Sequence, residues 1–260
     1  GSANTSNATA NTGGASGGSN DGDSGDGGSG IVIIKDSEGT VTSYTTSQGT
    51  VHTITAVGDV ANTRAQQKVG DSSIIFDGTG DYLTIPDSDD WDFGTGDFTI
   101  EHWVRPISIP ASQTHTTIFS GESWPPGFRF YYDNSGVYIR LEGSAYAFTG
   151  ATFSADTWYH MAASREGTDL RVFIDGDLKD THTDSTDITS TGVLYIGRRG
   201  DTTTDDANAY LDEIRISDSA RYTSSFTTFG QDGGTIANPT PFTADSNTML
   251  LIHSDWDGGL

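Results

Sequence analysis

The chain has 260 residues, with 36 acidic against 13 basic side chains, no cysteine and a formal charge of −23. Such a surface repels phosphate backbones and anionic lipid, which argues against nucleic-acid binding and membrane-surface roles. The longest apolar runs are about four residues, too short to span a bilayer, and disulfide staples and thiol chemistry are both excluded. Only six of the acids are Glu; the rest are Asp, a turn former and a cation ligand, which suits the loops of an all-β protein. The chain opens on Gly1-Ser2 rather than Met, as expected of a polypeptide that is processed, excised from something larger or tagged.

Residues 1–30 carry no aromatic and no Val, Leu or Ile, so they cannot bury enough apolar area to offset their ordering entropy. A flexible tether is expected there. Its Asp21 to Gly27 stretch lacks the spacing of a calcium loop. Ile31-Val32-Ile33-Ile34 reads as a buried strand, followed by a turn over Asp36 to Gly39 and a Thr-rich run to about Ile54. The composition of Ala61 to Lys68 is compatible with a loop or one helical turn.

The clearest strand is Asp97 to Arg105. Phe98, Ile100, His102 and Val104 share one face, which reads as core, and Thr99, Glu101, Trp103 and Arg105 share the other. Further strands are expected at Ser73 to Gly78, Asp81 to Pro86, Ile118 to Ser120, Phe128 to Asp133, Val137 to Leu141, Trp158 to Ala162, Leu170 to Asp175, Tyr195 to Gly197 and Leu211 to Ile216. Asn134-Ser135-Gly136 supplies a hairpin turn. The fold class that follows is all-β, a two-sheet antiparallel sandwich, and its jelly-roll form is what the resemblance of the motifs to a known family implies.

The order Phe76-Asp77-Gly78, Asp81-Tyr82-Leu83, Phe98-Thr99-Ile100-Glu101, Trp158-Tyr159-His160-Met161-Ala162, Leu170 to Gly176 and Leu211 to Ile216 resembles a laminin-G-like, concanavalin A-like jelly-roll domain of the broad type that includes pentraxins. The likeness covers about residues 73–229 and extends to modules of phage tail, virion-surface and bacterial surface proteins. It divides the chain into a tether (1–30), a sandwich (31–229) and a C-terminal crossing and strand (230–260). Met249 to Ile252 in that last part either completes the sandwich or opens a further repeat.

Concanavalin A-like sandwiches include glucanases, and retaining glycosidases need two carboxylates about 5 Å apart on one face. No such alternating pair occurs; Glu101 stands alone, and Asp212 and Glu213 are adjacent and so point to opposite faces. His160 reads as a core histidine. A sugar site requires aromatic platforms beside polar groups. Trp124 in its Pro-rich loop, Arg129, Tyr132 and Tyr146 are the candidate carbohydrate-binding residues, with Tyr131, Tyr138 and Arg140 nearby. Trp91, Trp103 and Trp158 are expected to pack. Asp201, Asp205, Asp206 and Asn208 are candidate metal ligands, because they are oxygen donors in the loop that, by the resemblance, supplies much of a pentraxin-like calcium site; the missing acid between Pro106 and Ser120 departs from that pattern. A second acidic group, Asp77, Asp81, Asp87, Asp89, Asp90 and Asp92, reads as turns and caps.

The expected function is a non-catalytic binding or adhesion module, extracellular or on a virion surface, that recognises a cell-surface glycan or protein with calcium as the candidate cofactor. The alternative is a self-assembling or decorating structural protein of a virion, fibre or filament, a homo-oligomer or part of a larger assembly. A glycoside hydrolase dependent on Glu101 is the third class.

Overall fold

The structure is a computed structural model that describes residues 41–45, 51–110, 115–121, 127–142, 144–200, 205–230 and 233–254. The expected tether, the Ile31 to Ile34 strand and the Asp36 to Gly39 turn lie outside the described residues. Among the described residues sixteen strands follow in chain order: β1 (Val41–Thr45), β2 (Val51–Val57), β3 (Ala61–Thr63), β4 (Ser73–Asp77), β5 (Tyr82–Ile85), β6 (Phe98–Pro106), β7 (His115–Ser120), β8 (Phe128–Asp133), β9 (Gly136–Leu141), β10 (Ser144–Thr149), β11 (Tyr159–Glu166), β12 (Asp169–Ile174), β13 (Asp177–Thr183), β14 (Leu194–Ile196), β15 (Asn208–Ser217) and β16 (Thr248–Ile252). Ala61 to Thr63 is a short strand paired with β4, where composition allowed only a loop or turn. Asp89–Trp91 forms a single 3-10 turn capped by the Ser88 side chain.

The strands build two sheets of a jelly-roll sandwich, and every described pairing is antiparallel. The first sheet runs β1-β2-β5-β14-β7-β8-β9-β10; the second runs β13-β12-β11-β6-β15-β4-β3, with β16 also on β15. β15 lies along β6 on one side, while its other side is shared: Asn208 to Leu211 pair with β4 and Ile214 to Ser217 with β16.

Between the sheets the alternation of apolar residues holds. Phe98, Ile100 and Val104 of β6 meet Phe128, Phe130, Ile139, Ile118 and Leu194 of the first sheet in one core. Fully burying an aliphatic or aromatic side chain of this kind contributes about 1.5–3 kcal/mol.

The second sheet departs from the expected half-buried pattern, because Thr99, Glu101 and Trp103, on the outer face of β6, are also wholly buried. Residues 218–230 and 233–247 fold back over that face. The Trp103 and Phe229 rings lie 5.4 Å apart, Phe173 and Phe226 5.6 Å, and the His160 ring sits within 6.3 Å of Trp103, Tyr222, Phe226, Phe229 and Phe242. Thr99 Oγ1 donates to the Ser219 carbonyl and accepts from the Arg221 amide, which pins the start of the crossing to β6. Buried Trp91 and Trp103 and partly buried Trp158 take the packing roles expected of them.

Truncating Phe229, which is 1% exposed, removes the ring that spans Trp103 and Phe226. Phe229→Ala should destabilise the protein by about 3–5 kcal/mol. Urea denaturation measures this, and an unchanged midpoint would show that the crossing segment does not hold the second sheet.

Candidate functional site

The outer face of the second sheet is closed by the chain itself, so the first sheet's outer face is the place to look for a surface. In β8, Phe128, Phe130 and Tyr132 point into the core, and Arg129, Tyr131 and Asp133 point out. In β9, Val137, Ile139 and Leu141 point in, and Tyr138 and Arg140 point out. The register sets Arg129 opposite Arg140 and Tyr131 opposite Tyr138. The two tyrosine rings stack at 5.0 Å, the Arg129 guanidinium lies 4.0 Å from the Tyr131 ring centre, and Arg140 Nε donates to the Tyr131 hydroxyl at 3.1 Å. Burial holds the Arg129 pKa down at about 10, with the charges of Arg199 and Arg140 pushing the same way against Tyr131 and Asp205.

The loop after β14 completes the face. Leu194 and Ile196 are core residues, so Tyr195 between them points outward, 5.9 Å from the Tyr82 ring. Gly197 turns the chain away with φ of +87°; a side chain there would strike the Phe76 ring. Arg198 then stacks 4.2 Å from the Tyr82 ring centre, and Gly200 lies so close to the Tyr195 ring that a methyl would collide with it. Tyr82, Tyr195, Arg140, Arg198 and Arg199 are each partly exposed.

The two acids of this loop are engaged by arginine. Asp205 accepts from Arg129 at 3.3 Å and from Arg199 at 3.2 Å. Asp206 accepts from Arg198 at 2.5 and 2.9 Å and from the Gly80 amide at 2.8 Å. Asn208 donates its side-chain amide to Ser108 Oγ at 3.0 Å, and Asp201 lies outside the described residues. A cation ligand must offer unneutralised oxygen. The two described carboxylates of the expected calcium set are therefore already neutralised by arginine, and no group of three or more His, Asp or Glu suited to a metal occurs among the described residues.

The expected sugar platform is rearranged as well. Arg129 belongs to the face but is almost fully buried, and Trp124 lies outside the described residues. Tyr132 is wholly buried in the core, because it keeps phase with Phe128 and Phe130. Tyr146 pairs with Ile139 and so leans inward, packing on the core while its hydroxyl donates to Asp184 at 2.6 Å. Neither tyrosine joins Arg129. Tyr82, Tyr195, Arg198 and Arg199 take part instead, and the alternation in Tyr82-Leu83-Thr84-Ile85 and Leu194-Tyr195-Ile196 carried that information.

Four of the six acids in the other group have structural partners: Asp77 accepts from the Thr79 amide, Asp81 from the Asp59 and Asp77 amides, Asp92 from the Ser190 amide, and Asp90 pairs with His52 at 2.7 Å.

Beneath the crossing segment lies a buried ionic cluster. Glu101, with no exposed surface, accepts from Arg215 at 2.6 and 2.8 Å, contacts His160 Nε2 at 3.1 Å and accepts from the Tyr222 hydroxyl at 2.8 Å. Burial alone would raise its pKa, but Arg215, His160 and Tyr222 bring it down to about 2. A polar pocket of about 260 Å³ opens beside Arg215 and Tyr222, yet Arg221 on its wall is paired with Asp245 at 2.8 Å. Asp212, on the same strand as Arg215, accepts from the Lys68 and Val69 amides and from Ser254. Burial, and then the neighbouring Glu213 charge, raises its pKa to about 7.

This is the architecture of a concanavalin A-like jelly roll whose first-sheet outer face is buried at Arg129, Tyr131 and Tyr138 and partly exposed at Tyr82, Tyr195, Arg140, Arg198 and Arg199. A protein-family model described as the concanavalin A-like lectin/glucanases superfamily matches residues 77–225, and the chain belongs to that superfamily. Domain 4 of AbnA, a GH43 extracellular arabinanase from Geobacillus stearothermophilus, solved with arabinotriose, is similar over 65% of this chain and 82% of its own, at 18% identity and a TM-score of 0.51. The receptor-binding domain of botulinum neurotoxin C/D mosaic serotype is similar over 65% of this chain and 43% of its own, at 13% identity and a TM-score of 0.51. Trypanosoma rangeli sialidase with the inhibitor DANA is similar over 73% of this chain and 30% of its own, at 16% identity and a TM-score of 0.50. At these identities the fold is what is shared, and the chain spans less than half of the toxin domain and of the sialidase. No curated protein matches the sequence.

The two perturbed carboxylates give stability opposite pH dependences. Glu101, lowered from 4.5, contributes stability that is present above 4.5 and lost as pH falls through about 2. Asp212, raised from 3.8, contributes stability that is present below 3.8 and lost as pH rises through about 7. Between pH 5 and 8 the loss from Asp212 is opposed by buried His102, lowered from 6.5 to about 3, whose contribution to stability rises with pH, so Asp212→Asn should turn the slope toward stability that rises with pH. Urea midpoints at pH 5, 6, 7 and 8 measure it, and an equal slope in the variant would remove Asp212 as the cause.

Proposed function

We propose that this chain is a non-catalytic binding module that holds a carbohydrate, displayed outside a cell, against the outer face of its first sheet. The observation that carries this reading is the partly exposed set of Tyr82, Tyr195, Arg140, Arg198 and Arg199 on the outer side of the first sheet. Aromatic faces accept the apolar side of a sugar ring, and guanidinium groups donate to its hydroxyls. The arabinotriose held by the arabinanase domain supports the reading by analogy of fold.

The chemistry of Glu101 favours binding over hydrolysis. A glycosidase acid needs a raised pKa and access to the glycosidic oxygen, whereas this carboxylate is buried, ionised and engaged by three partners. The arginine partners of Asp205 and Asp206 support a reading in which calcium is not required.

A glycan array probed with and without EDTA tests it. Binding should appear on the array and persist in EDTA, and Tyr195→Ala and Arg140→Ala should each weaken it about tenfold, the equivalent of ~1.4 kcal/mol, with unchanged circular dichroism. An array without a single bound saccharide, or variants that bind like the parent, would overturn the proposal.

A further inference from the structure

The segment that covers the second sheet carries a recess of its own. It is a polar pocket of about 260 Å³ whose walls include Arg215, Arg221, Tyr222, Thr228, Thr243 and Asp245. One water occupies roughly 30 Å³ of liquid, and pockets for drug-sized ligands begin at about 300 Å³. The recess therefore has room for a cluster of waters or for one small molecule the size of a single sugar ring.

Its walls are fixed in advance. Arg215 Nε donates to Glu101 at 2.8 Å and Nη1 donates to the Thr243 carbonyl at 3.3 Å. Arg221 Nε donates to Ser217 Oγ at 2.6 Å, and its two terminal nitrogens donate to the Asp245 carboxylate at 2.8 and 2.9 Å in a bidentate pair. Tyr222 donates to Glu101 at 2.8 Å while its ring stacks 3.8 Å from that of Phe226. Side chains held in this way lose little freedom when a ligand arrives, which lowers the cost of binding.

Charge around the recess is matched pair by pair. Glu101 faces Arg215 as well as His160, and Asp245 faces Arg221; Asp218 adds a carboxylate within electrostatic reach of Arg221 and Asp245. An anion entering the recess meets carboxylates beside the guanidinium groups, and a cation meets carboxylates already committed to arginine. Hydrogen-bonding capacity, by contrast, is mixed: guanidinium groups only donate, the Asp245 oxygens only accept, and the Thr228 and Thr243 hydroxyls do both. A neutral alcohol, which also does both, matches that set better than an ion of either sign.

We infer that this recess is a second ligand site, on the side of the sandwich opposite the first sheet's outer face, and that it takes one neutral polyhydroxylated unit such as a single sugar ring. Such a site stands or falls independently of the first-sheet reading.

Amide NMR titration of the full chain tests it with five probes: glucose, galactose, arabinose, sodium sulfate and calcium chloride. At least one of the three sugars, at tens of millimolar, should shift the Thr228 and Thr243 signals saturably, and the two salts should shift them less. Thr228 is exposed, so Thr228→Trp can fill the recess without disturbing the core; it should weaken the sugar's effect on Thr243 at least tenfold at an unchanged melting temperature. Thr243→Val, which keeps the carbonyl that Arg215 uses, should weaken the effect on Thr228 severalfold. Sugar shifts confined to Tyr82 and Tyr195 overturn the second site and leave the first-sheet reading standing. Stronger shifts with sulfate or calcium than with any sugar overturn the neutral class of ligand. Sugar shifts that survive both variants, or no sugar shift at Thr228 and Thr243, overturn the site.

Discussion

The pairing of Glu101 with Arg215 constrains the second sheet more than any other contact. A carboxylate removed from water is tolerated only when its oxygens are matched, and leaving one partner of such a pair alone costs about 3–5 kcal/mol. Arg215 stands directly opposite Glu101 in the β6–β15 register, His160 comes from β11, and Tyr222 reaches over from the crossing segment. Three separate stretches of chain must therefore be in place before that face can dry out. Once it has dried, the aromatic rings of Phe226, Phe229 and Phe242 pack over it, and the face is no longer available to a ligand.

That pairing requires a defect in β15. Trp103 pairs with Asp212 and Glu101 with Arg215, so two steps along β6 oppose three along β15. The extra residue is a β-bulge, with Glu213 at φ of +49°, and it reverses the alternation so that Leu211 and Ile216 both face the core while Asp212 and Arg215 both face outward. Without it, Arg215 would share a face with Leu211. The bulge also falls where β15 changes partner from β4 to β16. Glu213, the strained residue, is in turn held by His253 and the Phe242 amide, both at 2.6 Å. Backbone strain and the buried charges are thus stabilised by the same C-terminal segment.

What could be read in the sequence follows from where the information resides. Period-two alternation is local, so the strands, the Asn134-Ser135 hairpin and the outward direction of Tyr82, Tyr131, Tyr138 and Tyr195 are all legible. The same rule separates Arg129 from Tyr132, which differ by an odd number of positions on one strand and so face opposite sides. Coverage is not local. Thr99, Glu101 and Trp103 look like a solvated face until residues more than a hundred positions later are known to fold across them. Asp205 and Asp206 look like cation ligands for the same reason: the donors can be counted in the loop, but Arg129, which claims Asp205, is 76 positions away. The inward lean of Tyr146 depends on its register against Ile139, which alternation within β10 alone does not set.

Two groups of arginines in this acidic chain have different roles. Arg165 and Arg215 are buried fasteners: Arg165 donates to Asp184 and to the Gly94, Gly96 and Thr186 carbonyls, and Arg215 to Glu101 and the Thr243 carbonyl. Each satisfies fixed acceptors that would otherwise be buried without donors, which is a structural task. The cluster around Arg129 is of a different kind, because it opposes cation to cation across a strand pair and offsets the repulsion with tyrosine faces and two loop aspartates. The aspartates come from the segment after β14, so the charge of the face is adjustable by that loop without disturbing the sheet. A rigid sheet that fixes the rings, together with a loop that sets the charge above them, allows a change of ligand to proceed through the loop alone, since the core beneath depends on neither Asp205 nor Arg199.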